Sequence, residues 1–382
     1  TTLSSRGGQN GNTCIHVQQL YFQTVFRILQ GHTKKMAKIV VLATGGTIAG
    51  QGADANDGVA YQAAQIDVEG LLGGICGLQD LLGADTLQGE QVAQVNSKDM
   101  DFSIWQVLAR RCAHWLAQPD VRAVLVTHGT DTLEETACFL QQALAAAPTA
   151  HVWQKRPVGL TCAMRPATAR LSDGPQNLAD ALAVARDPRA CAVMAVAAGS
   201  VHAADAVQKI HPYRLDAFSS GDAGLLAVVE EGHVRWLREP PGWPQETDGR
   251  LWQAMLHTAP ADWPWVEVLH SHAGADARAL HALVQAGVQG VVLAGTGNAT
   301  LHQTLEEVAP SLPAKNVAVA LTPRCSASAV VRSAVSPADP APLVLCATGK
   351  GGAATALPVS KARVHLVLRL LAARAGAVQA VS

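Results

Sequence analysis

Charge is scarce in this chain of 382 residues: Asp, Glu, Lys and Arg make up 15%, where about 25% is usual for a globular protein. The 29 Lys+Arg and 30 Asp+Glu leave a net charge of -1, which gives no electrostatic basis for binding nucleic acid or an anionic membrane, because both require clustered cations. With 49% hydrophobic residues, the same balance excludes intrinsic disorder. Apolar runs such as Ile39–Ala43 and Cys191–Ala198 fall far short of the ~18 residues of a membrane span. The cysteines (Cys14, Cys76, Cys112, Cys138, Cys162, Cys191, Cys325 and Cys346) include no CxxC pair. Their spacing is unlike a zinc site, so they read as free thiols. GxGxxG, GK[ST] and GxSxG are all missing, which removes the dinucleotide, phosphate-loop and serine-elbow readings. Small neutral or zwitterionic partners remain, for a chain long enough, at roughly 150 residues per domain, to form two or three domains.

Composition breaks at Met36. Residues 1–35 carry Arg6, Arg27, Lys34, Lys35 and many Gln but no apolar core of a secretion signal, and are expected to be a disordered upstream extension. Met36-Ala37-Lys38 leads directly into Ile39-Val40-Val41-Leu42, as a natural start feeding a first strand would. On that reading the functional chain has no signal peptide and is cytoplasmic, in keeping with unpaired cysteines.

From there, short β-branched runs alternate with helical patterns. Strands are expected at Ile39–Ala43, Ala123–Thr127, Val158–Cys162, Cys191–Ala197, Val266–Leu269, Val288–Ala294, Val317–Leu321 and Leu343–Ala347. Helices are expected at Ser103–Gln118, Leu133–Ala147, Gln176–Ala185, Ala277–Ala286 and Ser360–Arg374; the first puts Ile104, Val107, Leu108, Cys112 and Trp115 on one face. Nearly continuous apolar strands alternating with helices imply an α/β fold with a mainly parallel sheet covered on both faces. At 239–264 the pattern lapses into Pro240, Pro241, Pro244, Pro260 and Pro264. The expected organisation is therefore a larger amino-terminal catalytic domain (36–238), a linker (239–264) and a smaller α/β carboxy-terminal domain (265–382). Trp236, Trp243, Trp252, Trp263 and Trp265 cluster around the linker and suit packing against a neighbouring domain or subunit better than stacking on nucleic acid.

Open parallel sheets bind ligands where strands end, and three such ends are polar. After the first strand comes Thr44-Gly45-Gly46-Thr47-Ile48-Ala49-Gly50, whose paired glycines permit a tight turn and close backbone approach. Thr47 is either a satisfied turn threonine or a hydroxyl offered to a ligand. Thr127-His128-Gly129-Thr130-Asp131-Thr132 precedes a helix with an acidic first turn; its side chains either cap that helix or orient a polar substrate and water. Asn96-Ser97-Lys98-Asp99-Met100 offers similar groups, again with helix caps, Asp101 or Ser103, as the ordinary reading. His270 and His272 lack an evident third ligand, so no metal site is expected. Asn298-Ala299-Thr300 matches a glycosylation sequon, which has no meaning for a protein kept in the cytoplasm.

Taken together, TGGTIAG at 44–50, VNSKDM at 95–100, THGTDTLEETA at 127–137, CAMRPATARLSDGPQNL at 162–178 and AGTGN at 294–298 resemble the bacterial L-asparaginase family, in the family's order and over residues 37–374. The resemblance implies hydrolysis of L-asparagine to L-aspartate and ammonia through a covalent acyl-enzyme, with no metal and no cofactor. It places Thr47 as nucleophile, Tyr61 in the following loop as its assistant, and Thr130, Asp131 and Lys209 as a second cluster. It also puts Ser97 and Asp131 at the substrate's α-carboxylate and α-amino groups, Lys98 and Thr130 among the substrate-binding positions, and Ala163 at the amide to be cleaved. A homotetramer with the active site near a subunit interface is implied as well. Glutamine, a derivatised asparagine, or a catalytically silent amino-acid-binding protein are the alternatives.

The chemistry makes physical sense of these residue types. A threonine hydroxyl needs a proton acceptor within hydrogen-bond reach. A lysine can accept a proton only when neutral, which burial favours and a neighbouring carboxylate opposes. Backbone N–H groups in Gly-rich turns could hold a developing oxyanion. Three positions depart from the family: Lys98 where Gln is common, Cys162 where Gly precedes Ala-Met-Arg, and Thr300 where Asn is common. Lys98 would repel a substrate ammonium unless an acid such as Asp99 pairs with it, so Lys98→Gln is expected to change KM.

Overall fold

The computed structural model describes residues 36–245, 247–326, 346–347 and 355–379. The expected extension at 1–35 and most of the strand expected at Leu343–Ala347 lie outside these residues; only Cys346–Ala347 of that strand is described.

An eight-stranded sheet organises the larger domain. Its strands are β1 (Lys38–Gly45), β2 (Thr86–Val95), β3 (Val121–Thr127), β4 (Pro157–Thr161), β5 (Ala192–Ala197), β6 (Ser200–Ala203), β7 (Ala227–Glu230) and β8 (His233–Trp236). They lie in the order β8-β7-β6-β5-β4-β3-β1-β2. The run β2-β1-β3-β4-β5 is parallel, and β6, β7 and β8 add an antiparallel flank.

Strand periodicity explains the layers. Ile39, Val41 and Ala43 of β1 point to one face, into a core with Leu178, Ala181 and Leu182 of helix α3 (Gly174–Arg186). Val40 and Leu42 point to the other, against α1 (Phe102–Leu116) and α2 (Leu133–Ala145). Ile39, Val40, Val41 and Leu42 are all fully buried, each contributing about 1.5 to 3 kcal/mol. This two-sided burial is why β1 reads as an unbroken apolar run.

Residues 239–264, read above as a linker, carry helix α4 (Arg250–His257), which buries Leu251, Trp252, Ala254 and Met255. Trp263 stacks on Phe102 at 4.9 Å between ring centroids, and Trp243, Trp252 and Trp263 are all buried in the α1/α2 core. Three of the clustered tryptophans thus fasten the connection to the body of the chain, while Trp265 stays 37% exposed. Beyond it, β9 (Val266–His270), β10 (Gly290–Gly295) and β11 (Ala318–Pro323) form a parallel three-stranded sheet. Helix α5 (Arg278–Gln285) buries Leu280 against one face of this sheet. On the other, the last described helix, α6 (Val359–Gln379), joins Val266, Val292 and Ala320 to the core of the larger domain through Leu366, Val367 and Leu371.

The chain leaves β1 towards β2 on one side, then crosses to β3 on the other. Such a reversal opens a crevice at the carboxyl ends of β1 and β3.

Candidate active site

Glycines bring the loops at that crevice into backbone contact. Gly45 and Gly46 have φ of 100° and 80°, conformations that L side chains rarely adopt. A Cβ on Gly46 would lie 2.3 Å from the Gly129 Cα, one on Gly45 2.6 Å from the Val95 carbonyl oxygen, and one on Gly129 2.4 Å from Ser97 Oγ. The turns after β1, β2 and β3 therefore interlock, with Thr47, Ser97 and Thr130 each within two residues of the contact.

Thr47 opens a short 3-10 turn, Thr47–Ala49, and is 9% exposed. Its hydroxyl lies 2.7 Å from the Tyr61 hydroxyl. Tyr61 arrives on a two-residue strand paired with Gln51–Gly52, and its ring is accommodated by Gly50, where a Cβ would come within 2.8 Å of Cδ2. Thr168 fastens this hairpin: its hydroxyl accepts from Gly52 N–H at 2.8 Å and donates to the Gly52 carbonyl at 3.3 Å.

The second cluster assembles around Lys209, on a short strand paired with Phe218–Ser219. Its ammonium donates to Thr130 Oγ1 at 2.9 Å and to Asp131 Oδ1 at 2.6 Å. Capping does not account for this loop. Thr132 holds the N-cap position of α2 without a side-chain cap bond, and its hydroxyl instead donates to the Ser97 carbonyl at 2.8 Å. The third loop behaves differently, since Asp101 caps α1 through Ile104 N–H and Asn96 accepts from Lys98 N–H.

Ser97 is 2% exposed, and its Oγ accepts from Asp131 N–H at 3.2 Å. Ala163 is fully buried beside Ile48 and Ala49 of the Thr47 turn. Lys98 is drawn elsewhere: its ammonium donates to Asp99 Oδ1 at 3.1 Å, and both side chains are more than half exposed. Thr47 with Tyr61, Ser97 with Asp131, and Thr130 and Asp131 with Lys209 are thus hydrogen-bonded pairs or clusters. Ala163 joins them by packing, and Lys98 is engaged with its chain neighbour.

Several supporting residues lie within the shared strings, but no residue type or spacing there assigns them a role. Both carboxylate oxygens of Asp173 accept backbone N–H groups, from Met164 and Arg165, each at 2.9 Å. Asn177 donates to the Cys162 carbonyl at 2.9 Å. Together they hold the backbone on either side of Ala163. His128 is fully buried within the THGTDT string and fixes one tautomer: Nδ1–H donates to the Gly129 carbonyl at 2.7 Å, leaving Nε2 to accept from Thr136 at 3.0 Å. Trp105 Nε1–H then donates to the same threonine oxygen at 2.9 Å. Burial lowers the His128 pKa to about 4, so the ring stays neutral at ordinary pH.

The other candidates resolve locally. His272 Nδ1 lies 2.9 Å from the Ala273 carbonyl, Ser271 Oγ accepts from His302 N–H at 2.8 Å, and among the described residues no group of three or more His, Cys, Asp or Glu could hold a metal ion. Thr300 pairs with Thr296 through hydroxyls 2.9 Å apart. No helix among the described residues is long and apolar enough to cross a membrane.

Comparison with known proteins covers most of the chain. Residues 38–242 match the family model for the asparaginase N-terminal domain, and residues 265–375 that for the glutaminase/asparaginase C-terminal domain. The chain is 32% identical to a glutaminase-asparaginase of Pseudomonas fluorescens over 334 residues, covering 84% of this chain and 85% of that one. It is 31% identical to a probable periplasmic L-asparaginase of Haemophilus influenzae, covering 70% and 72%. A crystal structure of a probable cytoplasmic L-asparaginase from Campylobacter jejuni superimposes with a TM-score of 0.72 at 30% identity, covering 87% of this chain and 95% of the other.

Proposed function

The chain belongs to the asparaginase family, and from that premise we propose that it hydrolyses the side-chain amide of L-asparagine to L-aspartate and ammonia through an acyl-enzyme on Thr47. The observation that carries the reading is the 2.7 Å contact between the Thr47 and Tyr61 hydroxyls, in a turn interlocked through Gly46 and Gly129 with the loop bearing Thr130 and Asp131. With Thr47 as donor, its proton is relayed through the Tyr61 hydroxyl, which passes its own proton on towards the leaving nitrogen as the Thr47 oxygen attacks the amide carbon. Backbone N–H groups of the Gly-flanked turns stabilise the resulting oxyanion, at ~3 to 4 kcal/mol per donor. The C–N bond then breaks, the leaving nitrogen takes that proton and departs as ammonia, and an ester to Thr47 remains. Water oriented by Thr130, whose oxygen accepts from Lys209, attacks the ester; as the C–O bond breaks the water's proton returns to the Thr47 oxygen, and aspartate is released.

Substrate recognition follows from the same groups. Asp131 gives Oδ1 to Lys209, which leaves its second oxygen to accept from the substrate ammonium, while Ser97 donates to the α-carboxylate. Because Asp99 answers the Lys98 charge locally, Lys98 does not argue for a different amide. The likeness to the Pseudomonas glutaminase-asparaginase supports glutamine as a further substrate, since one methylene changes binding by only ~1 to 3 kcal/mol.

Cys112, Cys138 and Cys162 are buried and unpaired, which supports a reducing, cytoplasmic setting, like that of the probable cytoplasmic Campylobacter protein and unlike that of the probable periplasmic Haemophilus relative. A homotetramer with the site near a subunit interface follows from the family resemblance, and Val59, Ile210 and Tyr213, exposed at 72%, 56% and 52% beside the two site hairpins, are apolar side chains such an interface would cover. Light scattering of the purified chain tests that assembly. For the reaction, Thr47→Ala is expected to lower ammonia release from asparagine at least ~10³-fold. Binding without release in the unaltered protein would instead favour an amino-acid-binding protein.

A further inference from the structure

The Lys209 backbone is held by a carboxylate that the sequence marks only as one of two acids opening a helix within the THGTDTLEETA string. Glu134, in the first turn of α2 and four residues beyond Thr130, accepts the Lys209 N–H through Oε2 at 2.7 Å. Its other oxygen, Oε1, accepts the Ser360 hydroxyl at 2.7 Å, and Ser360 lies in the first turn of α6. Lys209 is therefore attached twice to one loop and helix: by Nζ to Thr130 and Asp131, and by N–H to Glu134. A second tie runs parallel, since the Gln208 side chain donates to the Ser326 carbonyl at 2.8 Å. The next residue of α6 is anchored as well, with Lys361 fully buried and donating to the Ala204 carbonyl at 2.7 Å.

We infer that Glu134 is a positioning residue, which sets Lys209 over Thr130 and Asp131 and makes that placement depend on the docking of α6. A long lysine side chain has many rotamers, and pairing with Phe218–Ser219 fixes the Lys209 backbone only within its own hairpin, which could still shift as a unit relative to α2. Fixing the backbone N–H on the helix that also follows Thr130 and Asp131 removes that freedom. The bond to Ser360 draws the start of the carboxy-terminal helix into the same arrangement, so the smaller domain helps to shape a site built from larger-domain side chains. The inference rests on the hydrolase reading above.

The test uses the full chain and reads kcat and KM separately, together with the pH profile of kcat/KM, for Glu134→Ala, Glu134→Gln and Ser360→Ala. Displacing a positioned group costs rate steeply, so Glu134→Ala should lower kcat ~10-fold or more and move the pH profile towards that of Lys209→Met. Glutamine retains one acceptor for Lys209 N–H and can donate to Ser360, whose hydroxyl can turn to accept; Glu134→Gln should therefore stay within ~3-fold of the unaltered protein. Ser360→Ala should fall between the two. In a Lys209→Met background Glu134→Ala should add no further loss, the signature of two residues acting as one. Unchanged kcat and pH profile in Glu134→Ala, or a loss in Glu134→Gln as large as in Glu134→Ala, overturns the inference. If Glu134→Ala does not fold, Ser360→Ala decides, and kinetics equal to those of the unaltered protein overturn it. A chain that releases no ammonia from asparagine fails the hydrolase reading and this inference together, whereas a chain silenced by Thr47→Ala and indifferent to Glu134→Ala fails this inference alone.

Discussion

The two halves of the site are held by different forces. Around Thr47 the constraint is steric: Gly45, Gly46 and Gly129 leave no room for a Cβ, and backbone packs on backbone. Around Lys209 it is polar: the lysine reaches Thr130, Asp131 and Glu134 through hydrogen bonds that span between 75 and 79 residues of sequence. Both halves join segments distant in sequence, but the first is held by backbone contact that any added Cβ would break, and the second by the reach and hydrogen bonds of side chains. Substitutions in the two halves should therefore fail differently.

Gly46→Ala should produce the largest combined effect. The left-handed φ and the 2.3 Å approach to Gly129 together should cost on the order of 2 to 4 kcal/mol, with activity lost alongside thermal stability in a melting scan. Lys209→Met should separate the two properties. Its partner Asp131 has a side chain 49% exposed, so the ion pair should contribute no more than about 1 kcal/mol to stability, while kcat falls ~10²-fold. A Lys209→Met protein that melts as early as Gly46→Ala would erase the contrast.

The pH dependence of stability sharpens the picture of the packed side. Burial lowers the pKa of His128, His202 and His365 to about 4 in each case. Above pH 6.5 both folded and unfolded histidines are neutral and contribute nothing. Between pH 6.5 and 4 the unfolded chain takes up protons that the folded chain refuses, so stability declines by about 3 kcal/mol per histidine across that window. Urea midpoints at pH 7 and pH 5 should show the decline, and His128→Gln should flatten it. Identical midpoints would contradict neutral burial of these rings. The smallest effect belongs to Lys98→Gln: with Asp99 already beside the ammonium, KM for asparagine should change no more than about 3-fold, and a larger change would return Lys98 to the substrate shell.

What can be read from sequence follows the same division. β1, β3, β4 and β5 are apolar because both their faces are buried, so they stand out as runs. β2 does not, because it is an edge strand: Thr86, Gln88, Glu90, Gln91 and Gln94 interrupt its pattern, and among the described residues it pairs only with β1. β6, β7 and β8 are four residues each, too short for periodicity to register. Within the site, the paired glycines and the hydroxyl-rich strand ends mark Thr47, Thr130 and Asp131 directly. Lys209 has no such local mark: the family resemblance alone places it, and its partnership is explained physically by a hairpin from elsewhere in the chain folded over α2. Glu134 and Asp173 are illegible for another reason. An acid in the first turn of a helix or just before it is ordinary helix chemistry, and nothing local distinguishes one that also holds a distant backbone N–H.

Acylation of Thr47 is the claim on which the rest depends, and it can be observed directly. The protein quenched in acid during turnover of asparagine, digested and analysed by mass spectrometry, should carry an aspartyl ester on the peptide containing Thr47, and Thr47→Ala should carry none. An aspartyl adduct on another residue, or full-rate ammonia release by Thr47→Ala, would contradict the account.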